Sequence, residues 1–340
     1  MERAGFLQIH PPNKMRKRIL IIAPSWIGDM VMAHSLIQIL KTEEIGVLAP
    51  QWSAPLLERM DGVSSTIIHD FKHGALQFKS RFQIAQLLRE KHYDQAILLP
   101  NSLKSALIPF LAKIPQRTGY LGEMRFGLLN DIRTKKHYRT VDQFVALGLS
   151  DQTTIEILPP YLNPQSIDLS KFNLNLEKPI LALCAGAEYG SAKRWLIDYF
   201  VEVAQYYLKQ NWQVWAFGSI KEQAQGFALE KVGGINLCGK TTLAEAIDLL
   251  SLSNAVISND SGLMHVAAAL NKPLIAIYGS SDPFFTPPLN TNAKVLSLGL
   301  SCSPCFKREC PLEHLNCLRD LKPKQVITTL NEILALKNNN

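Results

Sequence analysis

Asn254-Ala-Val-Ile-Ser-Asn-Asp-Ser-Gly-Leu-Met-His-Val-Ala-Ala-Ala-Leu270 decides the fold. Ala255, Val256 and Ile257 form a short apolar run of strand type, Asn259 and Asp260 are turn and N-cap residues, and Leu263 to Leu270 continues with helical spacing. A strand therefore ends, turns and becomes a helix. The first N–H groups of such a helix have no intrahelical partner and carry the positive end of its dipole, which suits a phosphate. Gly262 lets the backbone approach a ligand, and Asp260, Ser261 and His265 put polar atoms around it. Asp-Ser-Gly alone also suits an ordinary capped helix.

The same alternation recurs on both sides. Arg18 to Ala23 reads as a strand and Ile27 to Leu40 as a helix, followed by strands at 47–49, 65–68 and 95–99 and helices at 53–59, 80–92, 102–111 and 141–147. Thr118 to Arg133, rich in Gly and Arg, reads as loop. The pattern lapses at Pro159-Pro-Tyr-Leu-Asn-Pro164 and restarts with strands at 180–184, 214–217, 256–257 and 274–278 and helices at 195–209, 222–232, 243–252 and 263–270. Alternating strands and helices argue for parallel sheets. The expected class is α/β, with two Rossmann-like doubly wound domains at 16–160 and 179–322 and a linker at 161–178. A terminal helix with a frayed tail follows at 323–340, and residues 1–15 read as a disordered extension.

The 340 residues, 47% hydrophobic and 19% charged, suit two full cores. No run of 18 apolar residues is free of charge or proline, and the polar start lacks a signal-peptide core, so the expected location is the cytoplasm. The net charge of +7 is uneven: residues 1–165 hold 20 Lys and Arg against 14 Asp and Glu, the remainder 16 against 15. A basic first half fits an acidic partner or serves as a solubilising surface.

Four strand ends carry functional groups. In Ala23-Pro-Ser-Trp-Ile-Gly-Asp29, Gly28 permits a tight turn, and Asp29 is either a favourable first-turn residue or a carboxylate able to take a hydroxyl proton. In Ala185-Gly-Ala-Glu-Tyr-Gly-Ser-Ala-Lys-Arg-Trp195, Gly186 and Gly190 flank a loop ending in Lys193 and Arg194, two cations suited to a diphosphate. It is neither a Walker loop nor a Gly-x-Gly-x-x-Gly fingerprint, which weakens ATP hydrolysis and NAD chemistry. Phe217-Gly-Ser219, with Lys221 and Glu222, is the third; the opening stretch is the fourth.

Six separated segments together resemble the lipopolysaccharide heptosyltransferases of glycosyltransferase family nine. They are Pro24 to Met30, Leu99-Pro-Asn-Ser-Leu-Lys-Ser-Ala106, Arg117-Thr-Gly-Tyr120, Gly122-Glu-Met-Arg-Phe-Gly-Leu-Leu-Asn-Asp131, Gly186-Ala-Glu188 with Lys193-Arg-Trp195, and Asn259 to His265. The resemblance implies a GT-B fold and inverting transfer of heptose from ADP-heptose to the first inner-core heptose of a heptosyl-Kdo2-lipid A acceptor, peripheral on the anionic cytoplasmic face of the inner membrane. It implies Asp29 as general base and Lys193 as a donor-phosphate ligand. The implied donor site comprises Gly186, Glu188, Lys193, Arg194, Gly218, Ser219, Glu222, Asp260, Ser261, Gly262 and His265, and the acceptor side Asn101, Ser102, Lys104, Arg117, Glu123 and Arg125. No Asp-x-Asp pair occurs, so the expected transfer needs no catalytic metal or cofactor.

Cys184 and Cys238 read as core residues. Cys302, Cys305, Cys310 and Cys317 are clustered, with His314 between the last two, as either a structural zinc or iron–sulfur site or a loop of reduced thiols. His34, His69, His73, His92 and His137 belong to no motif; His73 is a weak addition to the acceptor side. Two readings compete with the heptosyltransferase: a GT-B enzyme using another nucleotide sugar, and a non-catalytic basic binding protein. The lack of interleaved aromatic and basic residues argues against nucleic acid.

Overall fold

A computed structural model describes residues 16–72, 74–150 and 153–338. The expected extension at 1–15, His73 and the last two residues of the expected tail lie outside them. The first sheet contains β1 (Arg18–Ile22), β2 (Glu44–Pro50), β3 (Ser65–His69), β4 (Gln95–Leu98), β5 (Gln116–Tyr120) and β6 (Asp131–Arg133). Its spatial order is β3-β2-β1-β4-β5-β6, and every pairing is parallel. The second contains β7 (Ile180–Cys184), β8 (Gln213–Ala216), β9 (Ile235–Asn236), β10 (Ala255–Asn259), β11 (Leu274–Ile277) and β12 (Ala293–Leu296). Its order, β12-β11-β10-β7-β8-β9, repeats the first sheet's topology.

The central strands are continuous apolar runs because helices cover both sheet faces. β7, Ile-Leu-Ala-Leu-Cys, is buried throughout, with Leu181 opposite Ala255. The expected loop at Thr118–Arg133 instead holds most of β5 and all of β6. Their polar side chains are satisfied across strands: Gln116 and Thr118 both donate to Asp131, at 2.9 and 2.8 Å. Hydrogen bonding replaces the apolar run that sequence periodicity relies on.

Helices in the first half are α1 (Ile27–Ile39), α2 (Ala54–Leu57), α3 (Phe78–Glu90), α4 (Leu103–Leu111) and α5 (Thr140–Gly148). The second half adds α6 (Ile197–Lys209), α7 (Gln223–Glu230), α8 (Leu243–Ser251), α9 (Gly262–Ala269), α10 (Asn316–Arg319) and α11 (Pro323–Asn338). One apolar core runs through both halves, joining Ile97 and Val47 of the first sheet to Ala182 and Trp215 of the second through Met30 and Leu36 of α1 and Val266 of α9. Val326 and Leu330 of α11 pack with Phe200 and Val203 of α6 in a separate core on the second sheet's other face.

A buried ion pair reinforces the junction. Arg59 donates through Nε and Nη2 to Asp248 at 2.9 and 2.5 Å, and Gln165 N–H donates to the same carboxylate at 2.9 Å. The segment before β7 also ties down α9, with Leu162 N–H donating to the Ala269 carbonyl. Two charges out of water need such complete pairing to be tolerated.

Candidate active site

In each sheet the strand order reverses between two adjacent central strands, β1 and β4 in the first, β7 and β10 in the second. Ligand crevices open there, beyond the strands' carboxyl ends. Asp29 follows β1, Asn101 to Lys104 follow β4, Gly186 to Arg194 follow β7, and Asp260 to His265 follow β10. These residues therefore gather at both switch points, while Gly218, Ser219 and Glu222 follow β8 and Arg117, Glu123 and Arg125 belong to β5 and the β5–β6 loop; direct packing of two helix N-termini joins the switch points.

A Cβ on Gly28 would lie 2.5 Å from His265 Cδ2, and one on Gly262 would lie 2.7 Å from Ile27 Cβ. This adds a second reading of Gly262: the space a side chain would fill is occupied by Ile27, so the glycine also permits close contact of the two helices. Neither Trp26 nor Ser261, the N-caps of α1 and α9, makes a side-chain capping bond. The positive ends of both dipoles face the cleft without a side-chain acceptor.

Asp29 stands in the first turn of α1. Burial pushes its carboxyl up to about 6; Lys193 across the cleft opposes that shift and Asp260 adds to it. The same neighbours act on His265, whose imidazolium burial pushes down to about 4, leaving a neutral ring at neutral pH. Four residues from opposite halves thus share one electrostatic neighbourhood.

Lys193 Nζ donates to Asp260 Oδ2 at 2.5 Å and lies 5.0 Å from the Tyr189 ring centre. Asp260 also accepts from Ser281 Oγ. Its side chain is 5% exposed against 17% for the lysine, so Asp260 holds the cation rather than facing ligand. The expected N-cap at Asn259–Asp260 shifts accordingly: Ser261 is the cap, and Asn259 closes β10. Asn259 accepts from Trp195 N–H at 3.0 Å and donates to the Ala185 carbonyl at 2.8 Å, fixing the loop that carries Lys193. The expected helix start at Trp195 moves to Ile197, and Trp195 is buried beneath the loop.

The remaining donor-side residues divide by role. Glu222 is buried and accepts from the Ser219 N–H and Oγ at 2.9 and 2.6 Å. Cβ atoms on Gly186 and Gly218 would lie 2.6 and 2.7 Å from its side chain, so both glycines make room for Glu222. Arg194 Nε donates to the Ala187 carbonyl at 3.1 Å and braces the loop. Glu188 pairs with Lys221 at 2.5 Å on the exposed rim.

On the acceptor side Arg125 is corrected most. It is fully buried, donating to the Pro100 carbonyl at 2.8 Å and to the Tyr120 carbonyl, and it locks the β4–α4 and β5–β6 loops together. Arg117 is half-buried, with Nε on the Leu128 carbonyl and Nη1 on the Ile114 carbonyl, both at 2.6 Å. Ser102 caps α4 through Ser105 N–H at 3.3 Å. Glu123 accepts from Leu103 N–H at 3.0 Å. Lys104 donates to the Gly74 carbonyl at 2.8 Å, and Asn101 is exposed at the rim.

Sequence reading missed Ser281, Tyr189 and the structural use of Asn259. Only Asn259 carried a signal, as a polar residue ending an apolar strand. The 301–310 loop covers this side: Ala192 N–H donates to the Arg308 carbonyl and Tyr189 OH to the Phe306 carbonyl, at 3.0 and 2.7 Å. Among the described residues, no three His, Cys, Asp or Glu side chains are disposed to hold a metal. Of the two alternatives for Cys302, Cys305, Cys310 and Cys317, the structure offers no such grouping in support of the zinc or iron–sulfur site. Burial raises the Cys317 thiol, and the other three thiols add to that shift. Cys184 and Cys238 are core residues as expected.

The model of glycosyltransferase family 9 (heptosyltransferase) matches residues 81–316. The chain is 41% identical to lipopolysaccharide heptosyltransferase 2 of Escherichia coli, over 93% of its own length and 98% of that protein's. It is 42% identical to lipooligosaccharide heptosyltransferase 2 of Haemophilus influenzae, over 93% and 99%. The solved structure of E. coli ADP-heptose LPS heptosyltransferase II superposes with a TM-score of 0.83 at 37% identity, covering 94% of this chain and 99% of that one. The chain belongs to glycosyltransferase family 9, the heptosyltransferases.

Proposed function

We propose that this chain transfers L-glycero-D-manno-heptose, with inversion, from ADP-heptose to the first inner-core heptose of a Kdo2-lipid A acceptor at the cytoplasmic face of the inner membrane. The observation that carries this reading is a carboxyl raised to about 6, Asp29, facing a lysine that a buried carboxylate holds in place. At neutral pH Asp29 is ionised yet more basic than an exposed aspartate, as a general base requires. The acceptor hydroxyl gives its proton to Asp29 as its oxygen attacks the anomeric carbon opposite ADP. The bond to the diphosphate breaks, and Lys193 with the first N–H groups of α9 offsets the charge that develops there.

On the donor side Ser261, Ser219 and Glu222 supply polar groups around the nucleotide; Gly186 and Gly218 make room for Glu222, Arg194 braces the loop that carries Lys193, and Asp260 holds Lys193. On the acceptor side Asn101, Lys104 and Glu123 rim the cleft mouth. Lys104 supplies a cation for acceptor phosphates or carboxylates.

The test is heptose transfer from ADP-heptose to a heptosyl-Kdo2-lipid A acceptor by the native chain and Asp29→Ala, with and without EDTA and with UDP-glucose as a second donor. The expected result is EDTA-insensitive turnover of ADP-heptose, lost in a variant that still binds it. Preferential turnover of UDP-glucose would favour the alternative GT-B reading, and loss in EDTA would restore a metal to the mechanism.

A further inference from the structure

The excess positive charge of the first half has a narrower address than its domain. Residues 71–121 contain eight Lys or Arg and two Asp or Glu. Among the described residues, none of those eight cations is in a salt bridge with a carboxylate; Arg81 is buried, and Arg89, Lys104 and Arg117 donate to backbone carbonyls, which bear no opposing charge. The large apolar side chains left exposed crowd into the same place. Of the 23 among the described residues, nine lie between Leu76 and Phe126, under a sixth of the chain.

These residues form one face. Arg81 donates to the Lys104 carbonyl at 3.1 Å and Arg89 to the Leu111 carbonyl at 2.7 Å, so α3 and α4 run side by side in matched register. Ala85 and Leu88 turn inward with Ala106 and Ile108 against the sheet. Phe82 and Leu87 on α3 and Phe110 on α4 remain exposed. The β3–α3 loop is fastened to α4 through Lys104 and Gly74, and the β5–β6 loop through Leu103 and Glu123. Phe78, Leu103, Met124 and Phe126 therefore gather at the N-terminal ends of α3 and α4, with Met124 79% and Phe126 64% exposed. Helices that follow parallel strands begin at the strands' carboxyl ends, so this cluster is on the same end of the first sheet as Asp29.

We propose that the α3–α4 face with the tip of the β5–β6 loop docks on an anionic lipid bilayer, seating the cleft mouth over a membrane-borne acceptor. The inference rests on the proposed function for the acceptor's identity but not for the surface itself. Exposed aromatic and aliphatic side chains among unpaired cations are the composition of an interfacial anchor, the former entering the headgroup boundary and the latter meeting its negative potential. No helix among the described residues is long and apolar enough to cross a membrane. Attachment through this face therefore takes apolar contact and charge together.

The experiment is flotation of the native chain, Phe78→Ser/Phe126→Ser and Lys79→Glu/Lys113→Glu with phosphatidylcholine vesicles, with and without phosphatidylglycerol, at low and high salt. The native chain is expected to float with the anionic vesicles and to be released by salt. Each double variant should lose at least tenfold in bound fraction, while both transfer heptose to a delipidated acceptor at the native rate. Equal flotation with neutral vesicles, or native-like flotation of both variants, would overturn the proposal. So would a native dimer that the variants dissolve, which would make the face a subunit interface. A native chain that floats as expected yet transfers no heptose upholds the docking surface and sinks the proposed function instead.

Discussion

Two aspartates, one at the switch point of each sheet, have opposite surroundings. Asp29 follows β1 in the first turn of α1; Asp260 follows β10 immediately before α9. Both sit at the switch point of a sheet with the same strand order, and both meet a helix N-terminus. Asp260 is tied to Lys193 and Ser281, whereas Asp29 has burial pushing its pKa to about 6 with only the more distant field of Lys193 in opposition. A place at a switch point does not by itself decide which carboxylate is the base. The partners supplied by other segments do.

The harshest test of that contrast is exchange of each charge for its amide. Asp29→Asn removes the base and should lower kcat by about 100- to 10,000-fold, with the donor's dissociation constant little changed. Because the folded pKa of Asp29 lies above its unfolded value, the native chain loses stability as pH rises from about 4 to about 6. Asp29→Asn should therefore gain in Tm relative to the native chain across that window. Equal Tm differences at pH 4 and pH 7 would mean the carboxyl is not raised.

Lys193→Met attacks the other member. Removal of a cation aimed at the leaving group should cost about 100- to 1,000-fold in kcat. It also leaves Asp260 buried without its charge partner, at roughly 3–5 kcal/mol of stability. Lys193→Met/Asp260→Asn should recover most of that stability in chemical denaturation and little of the rate. Recovery of both would reduce the lysine to a structural ion.

A gentler test moves the pH profile. The acidic limb of kcat/KM should fall near pH 6 and follow Asp29's surroundings with predictable sign. Asp260 raises the Asp29 pKa, so Asp260→Asn should shift the limb to lower pH; Lys193 lowers it, so Lys193→Met should shift the limb upward in whatever activity survives. A limb unmoved by either substitution would assign it to another group.

The same division separates what the sequence discloses from what it hides. Central strands such as Ile180–Cys184 are buried on both faces and announce themselves as apolar runs. β6, β9 and β12 are short strands at sheet edges, and β5 bonds through Gln116 and Thr118, so none has that signature. Asp29, Lys193 and Asp260 stand out because polar residues follow apolar strands at the carboxyl end of a sheet. Their pairing was hidden because Lys193 and Asp260 are 67 residues apart and Ser281 lies 21 beyond Asp260. Arg125 misleads for the same reason: an arginine in a Gly-rich segment resembles a surface cation until Pro100 and Tyr120 carbonyls close around it.

Gly262 offers the smallest and most discriminating effect. Its sequence context favours backbone approach to a ligand, while the fold fills the space where a Cβ would sit with Ile27, 2.7 Å from Cβ and 3.0 Å from Cγ2. Ile27 is branched at that carbon and cannot swing aside by a change of rotamer alone, so Gly262→Ala must push the N-termini of α1 and α9 apart. The expected cost is about 1–3 kcal/mol, the usual range for overpacking, with kcat reduced only insofar as Asp29 and Lys193 separate. Ile27→Ala removes the obstructing Cγ2 and Cδ1 atoms and leaves its Cβ. If helix contact is the reason for the glycine, Gly262→Ala/Ile27→Ala should therefore be less destabilised than the sum of the single variants, and kcat should recover in part with stability, the contact with the residue 27 Cβ remaining. If ligand approach is the reason, the single and double glycine variants should share the same raised KM for ADP-heptose whatever residue 27 carries. A double-mutant cycle read in both stability and KM separates a glycine that joins the two halves from one that admits the substrate.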